Sequence, residues 1–254
     1  MDDFQQAFAR VLAECGALFF DEGLRLKDGR PTPYFVNMGL FRTGRLSYIF
    51  GSFMARMLAA RGLADRIDTL VGPSYKGSAI AVAVAQALWL EHGFEVGFDY
   101  DRKEAKAHGE ASRRETRFVT GALLGGGSVF IVDDVATTMH TKDELIGLIQ
   151  SEAGAQGLRL SLLGVGLGID REQTEAVYDG QGRLQEGVKG GDAVALFTSR
   201  TGLPVHFLAG IREVVDFLGR EGIPVRIRGV RRPLDADTLR EFEVYMATYG
   251  VKPR

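Results

Sequence analysis

The run Val129-Phe130-Ile131-Val132-Asp133-Asp134-Val135-Ala136-Thr137-Thr138-Met139-His140-Thr141-Lys142 constrains the fold more than any other stretch of the chain. Its first residues are short, β-branched and apolar on both faces, the pattern of a central strand in a parallel sheet. The carboxylates of Asp133 and Asp134 then fall at the C-terminal end of that strand, where open α/β sheets place their ligands. Next, Thr141-Lys142-Asp143-Glu144 fits a capping box and predicts a helix capped by Thr141. Backbone amides and the helix dipole favour an anion at residues 137 to 141. Two adjacent carboxylates repel and raise one pKa, so a cation or a diol donor should face them. Taken alone, the pair is equally an ordinary solvated strand end, with Asp133 satisfying loop amides.

The rest of the chain repeats this order of elements. Residues 2 to 15 predict a helix with Phe4, Phe8, Val11, Leu12 and Cys15 on one apolar stripe. Residues 24 to 31 read as a strand ending in a turn and residues 33 to 37 as its return, a small accessory hairpin or lid. An amphipathic helix over 45 to 61 and a short buried strand, Thr69-Leu70-Val71-Gly72, follow. Gly72-Pro73-Ser74-Tyr75-Lys76-Gly77 is a glycine-flanked loop leading into a helix from Ser78 to about residue 91, with Trp89 assigned to the core. A strand over 95 to 100 runs into residues 101 to 110, charged enough to predict an exposed, mobile loop.

Beyond the acidic pair and its helix lie an apolar strand over 160 to 169, ending at Asp170-Arg171, a strand at 205 to 208, and helices at 211 to 218 and 236 to 249. Residues 179 to 204, rich in glycine and polar groups, interrupt the alternation, and 193 to 197 within them read as an extra strand. Strands alternating with helices give an α/β fold: a central, mostly parallel sheet with right-handed crossovers. The 254 residues fit a single domain with a hood over about residues 1 to 40 and an insertion at 179 to 204.

Charge narrows the partners. Lys and Arg total 31 against 33 Asp and Glu, so no global attraction to nucleic acid or membrane is implied, and a polyanionic ligand must be met locally. Arg226, Arg228, Arg231 and Arg232 form a basic cluster that reads as solvated or paired. The lone Cys15 excludes an internal disulfide and fits a reducing compartment. The acidic start Met1-Asp2-Asp3 and the lack of a long apolar run lead to the expectation of a cytoplasmic protein.

Four polar segments each follow a predicted strand: 72 to 77, 101 to 110, 133 to 141, and Asp170-Arg171. In a parallel sheet they converge on one edge. Together they offer carboxylates, hydroxyls, helix amides and the cations Lys76, Arg102, Lys103, Lys106 and Arg171, a mixture suited to a phosphorylated sugar with a diphosphate leaving group.

These residues resemble the orotate phosphoribosyltransferases, within the type I phosphoribosyltransferase fold. Leu26-Lys27-Asp28-Gly29-Arg30 with Pro33-Tyr34-Phe35 looks like the family's substrate hood, and residues 72 to 77 like its diphosphate loop. Arg102-Lys103-Glu104-Ala105-Lys106-Ala107-His108-Gly109-Glu110 is similar to the family's flexible catalytic loop, the most specific of the matches. The run from Asp133 to Thr141 looks like the signature for phosphoribosyl diphosphate, with one departure: Met139, then His140, stand where the family has glycine.

The resemblance implies phosphoribosyl transfer to N1 of orotate, with Mg2+ bound mainly through the substrate diphosphate and no dedicated metal ligands on the protein. It implies that Asp133 and Asp134 address the ribose hydroxyls, and Val135, Ala136, Thr137, Thr138, Met139, His140 and Thr141 the 5′-phosphate. Lys27, Tyr75, Lys76, Arg102, Lys103, Lys106 and His108 would contact phosphoribosyl diphosphate, with Lys106 and Asp134 catalytic. Phe35, Val36, Thr137 and Arg171 would hold orotate. It also implies a homodimer whose flexible loops reach into the neighbouring subunit's site. Two alternatives stay open: a phosphoribosyltransferase for another base, and a non-catalytic regulator that senses phosphoribosyl diphosphate.

Overall fold

Alternation along the central strand builds two cores at once. In the computed structural model, which describes residues 1–102, 117–136 and 138–252, Phe130 and Val132 enter one apolar cluster, while Val129 and Ile131 enter the other. All four are fully buried, as a strand covered on both faces requires.

The chain runs α1 (Asp3–Glu14), β1 (Leu18–Phe20), β2 (Tyr34–Val36), α2 (Gly44–Ala60), β3 (Thr69–Gly72), α3 (Lys76–His92), β4 (Gly97–Tyr100) and β5 (Gly127–Ala136). It continues with α4 (His140–Gln156), β6 (Leu160–Asp170), α5 (Ala193–Thr201), β7 (Val205–Gly210), α6 (Ile211–Arg220), β8 (Val225–Ile227), β9 (Val230–Arg232) and α7 (Ala236–Tyr249). The main sheet has the order β4-β3-β5-β6-β7, every described pair parallel. The larger core joins the sheet to α1, α2, α3, α6, α7 and the hood; α4 and α5 close the smaller one.

Close packing of α2 on the sheet depends on Gly166. A Cβ there would lie 2.8 Å from Phe130 and 3.0 Å from Met54. Gly166→Ala is therefore expected to cost about 1–3 kcal/mol by overpacking, lowering the melting temperature by about 2–4 °C per kcal/mol. An unchanged melting curve would show that the Phe130 ring yields freely.

Several expectations are corrected. The strand expected at 24 to 31 is only a bridge between Arg25 and Pro31; β2 pairs instead with Leu18–Phe20. The hood is also built from both ends of the chain, since β8 runs parallel to β1 and carries β9, giving the order β2-β1-β8-β9. Local patterning gave no sign of that long-range pairing. Its arginines are partnered: Arg226 lies over Phe19, Arg228 bridges Glu22 and Glu241, Arg231 donates to the Glu14 carbonyl, and Arg232 meets Asp235.

Residues 193 to 197 belong to a helix rather than a strand. The Asp192 carboxylate accepts from the Val194 and Ala195 amides, and Gly202 closes the helix in the left-handed region. Trp89 is 60 % exposed rather than core, next to Leu90 at 59 %. α3 is apolar almost all round, so its pattern predicts burial at every position although its last turn is exposed.

The capping box at Thr141 does not form. Helical bonding starts earlier, with the Lys142 and Asp143 amides donating to the Met139 carbonyl. His140 opens α4, Thr141 sits in its first turn, and Glu144 reaches back to His140 at 3.2 Å instead of capping.

Candidate active site

Because the strands are parallel, Gly72, Tyr100, Ala136, Asp170 and Gly210 end on one edge of the sheet, with Ala136 directly opposite Asp170. The segments that follow make the site.

After β3, Pro73-Ser74-Tyr75 turns tightly into α3, and the Ser74–Tyr75 peptide is cis. Gly72 and Gly77 pack backbone to backbone, so a Cβ on Gly72 would collide with the Gly77 carbonyl. Asp101, at the end of the neighbouring strand, braces the loop: its carboxylate accepts from the Ser74 amide at 2.6 Å, and its carbonyl from the Ser74 hydroxyl at 2.5 Å. Sequence reading passed over Asp101, although an acid just beyond a strand and opposite an amide-rich loop is a usable signal. Tyr75 is left 78 % exposed. It borders a cleft of 440 Å³ whose far wall includes Tyr100, Asp101 and Arg102. The Arg102 Nε is buried there without a hydrogen-bond partner among the described residues.

The acidic pair lies within β5, so its side chains point to opposite faces of the sheet. Asp134 turns toward α3 and meets the Lys76 ammonium group at 3.0 Å. Asp133 turns inward and meets Lys142 at 2.5 Å. Burial pushes the Asp133 carboxyl up, and the Lys142 charge opposes that shift. The pair thus has the two cations that its mutual repulsion demanded.

The turn beyond needs no glycine. Met139 has φ −89° and ψ 5°, a conformation open to any residue, and its side chain packs into the smaller core with Leu145, Ile146 and Ile149. Thr138, His140 and Thr141 are exposed beside the free amides of the α4 N-terminus. Lys103, Lys106, His108 and Thr137 lie outside the described residues.

Arg171 follows β6 and is nearly wholly buried. Its guanidinium lies 4.9 Å from the Tyr34 ring centre and 5.8 Å from that of Phe35. Arg171 Nε and Nη2, together with the Tyr34 hydroxyl, are buried without a hydrogen-bond partner among the described residues. A buried guanidinium with free N–H groups is costly alone and suited to a carboxylate, which it can bind with two parallel hydrogen bonds. Tyr34, which the sequence places only in the hood-like segment 33–35, adds its buried hydroxyl beside that guanidinium. Val36 turns its side chain into the core rather than toward the guanidinium.

The hood turn carrying exposed Lys27 is held firmly. Buried Arg30 pairs with Asp28 at 2.7 Å and donates to the Thr174 carbonyl at 2.6 Å. The segment that begins at Tyr178 folds over this turn: the Tyr178 hydroxyl donates to the Asp28 carbonyl at 3.1 Å, and Glu186 meets Arg25 at 3.0 Å.

Comparison with known proteins agrees with this geometry. Residues 52–156 match the model of the phosphoribosyl transferase domain. The chain is 35% identical to an orotate phosphoribosyltransferase of Methylococcus capsulatus, the match covering 98% of this chain and 99% of that protein. The chain belongs to the orotate phosphoribosyltransferase family. It is also 36% identical to the orotate phosphoribosyltransferase of Chromohalobacter salexigens, over 86% of this chain and 84% of that protein. The crystal structure of the Francisella tularensis orotate phosphoribosyltransferase superposes with a TM-score of 0.68 at 24% identity, covering 96% of this chain and 98% of the other. The likeness establishes the type I phosphoribosyltransferase fold for this orotate phosphoribosyltransferase family member, with the Met139 turn and the Lys142 pair built into it.

Proposed function

We propose that the protein transfers the phosphoribosyl group of 5-phosphoribosyl 1-diphosphate to orotate, giving orotidine 5′-monophosphate and diphosphate, a step of pyrimidine nucleotide synthesis. The observation that carries the reading is Arg171, a buried guanidinium with free donors beside Tyr34 and Phe35, at the same sheet edge as a phosphate turn and a diphosphate loop. A purine base brings no carboxylate to that guanidinium.

In this reading the 5′-phosphate takes the amides and hydroxyls of the 138–141 turn, and Asp134 accepts from the ribose hydroxyls. Lys76, Tyr75 and Arg102 face the diphosphate, which draws the Lys76 ammonium group away from Asp134. Orotate lies against Phe35 with its carboxylate on Arg171. Its N1 bonds to C1′ as the C1′–O bond to diphosphate breaks; diphosphate leaves with the bonding electrons and the N1 proton is released. Cations placed at the leaving group stabilise this charge more in the transition state than in the bound substrate.

Both carboxylates of the acidic pair already face lysines. Mg2+, held mainly through the substrate diphosphate, would supply positive charge to the leaving group. The homodimer that the family resemblance implies is part of this reading, and it would offer cover to exposed Trp89 and Leu90. Among the described residues no helix is long and apolar enough to cross a membrane, and the lone cysteine fits the cytoplasmic location included in this reading.

The test is direct. Purified protein with orotate, phosphoribosyl diphosphate and Mg2+ should consume orotate and release diphosphate in equal amounts. No consumption beside a competent control enzyme would reject the reading, and consumption of adenine instead would favour a purine phosphoribosyltransferase.

A further inference from the structure

Lys142 occupies a position that an apolar residue would ordinarily fill. It shares a helical stripe with Leu145, Ile146 and Ile149, all buried, and its own side chain is 4% exposed. A lysine there carries a large desolvation cost unless it is paired and hydrogen-bonded. Its ammonium group meets the Asp133 carboxylate, 9% exposed, at 2.5 Å, and approaches the Val135 carbonyl at 3.5 Å. Asp133 and Val135 lie on the strand that enters the phosphate turn, whereas Lys142 lies on the helix that leaves it. One side chain thus clamps both ends of the turn. The clamp stands beside Met139, so the shape of this turn rests on side-chain anchoring rather than on glycine.

We propose that Lys142 is a positioning residue for phosphoribosyl diphosphate: it holds Asp133 inside the protein as its counterion and fixes the turn that receives the 5′-phosphate. Asp134 alone of the acidic pair is then left to meet the ribose hydroxyls. This departs from the expectation that both carboxylates address the ribose, and it rests on the phosphoribosyl diphosphate reading given above. The local cause is charge: a buried, neutralised Asp133 adds little repulsion to an incoming polyanion, and the single outward carboxylate is released when Lys76 turns to the diphosphate.

Steady-state kinetics of Lys142→Met and of the double variant Asp133→Asn/Lys142→Met test the proposal. The single variant strands a buried charge and serves as the stability control. The double variant removes both charges and should fold, melting close to the parent protein. Its KM for phosphoribosyl diphosphate should rise about 10-fold or more, with kcat and the KM for orotate changing by less than about threefold. Lys142→Arg, which keeps the charge, should restore part of the affinity.

A folded double variant with parental KM for phosphoribosyl diphosphate would overturn the proposal. So would equal losses for both substrates, which would mark the pair as structural only. Parent protein without activity would reject the functional reading itself, before any variant is compared.

Discussion

Arg171→Ala is expected to lower kcat/KM for orotate by about 100- to 1,000-fold, with little change in the KM for phosphoribosyl diphosphate. The magnitude follows from what the side chain lacks in the free protein. Its Nε and Nη2 are buried without partners among the described residues, beside the aromatic rings of Tyr34 and Phe35. A carboxylate arriving there exchanges hydration for paired, charge-assisted hydrogen bonds in a setting that screens them poorly. Arg171→Lys separates charge from geometry, since an ammonium group keeps the charge but loses the planar fork. It should recover only part of the loss. Equal kcat/KM in the parent and Arg171→Ala proteins would remove Arg171 from base recognition.

The second large effect is on the chemical step. Lys106→Ala is expected to lower kcat by about 100- to 1,000-fold, the range found when one preorganised charge-stabilising donor is removed, while the KM values shift much less. Lys106 lies outside the described residues, and its role comes from the likeness of the 102–110 segment to the family's catalytic loop. The physical reason is the growth of negative charge on the departing diphosphate, which makes a cation there worth more at the transition state than before it. An unchanged kcat would show that Lys106 is solvated surface.

Much of this site was legible because it obeys local rules. The apolar run 129 to 132 and the acids after it marked the central strand and its ligand-bearing end. The glycines at 72 and 77 marked a loop leading into a helix, and the chain turns there from β3 into α3. What escaped depends on partners distant in sequence. Leu18–Phe20 found both Tyr34–Val36 and Val225–Ile227, a pairing that crosses almost the whole chain.

Lys142 shows the same limit within one motif. Its flanking threonine and glutamate have the spacing of a capping box, which predicts a helix start rather than a buried charge. A better signal was present: a lysine in register with Leu145, Ile146 and Ile149 requires a buried counterion, and Asp133 precedes it by nine residues. Met139 likewise stands out in sequence as a departure from the family's glycine, yet its backbone adopts φ −89°, open to any residue. Trp89 misled in the other direction, since an apolar helix face predicts burial without saying what covers it.

In the proposed reaction this sheet edge joins a carboxylated base to phosphoribosyl diphosphate through Arg171. The most direct test compares kcat/KM for orotate and for uracil, which lacks only the carboxylate, at saturating phosphoribosyl diphosphate and Mg2+. Leaving a buried guanidinium unpaired predicts a preference for orotate of about 1,000-fold or more, collapsing toward unity in Arg171→Ala. A ratio near one in the parent protein would contradict the account.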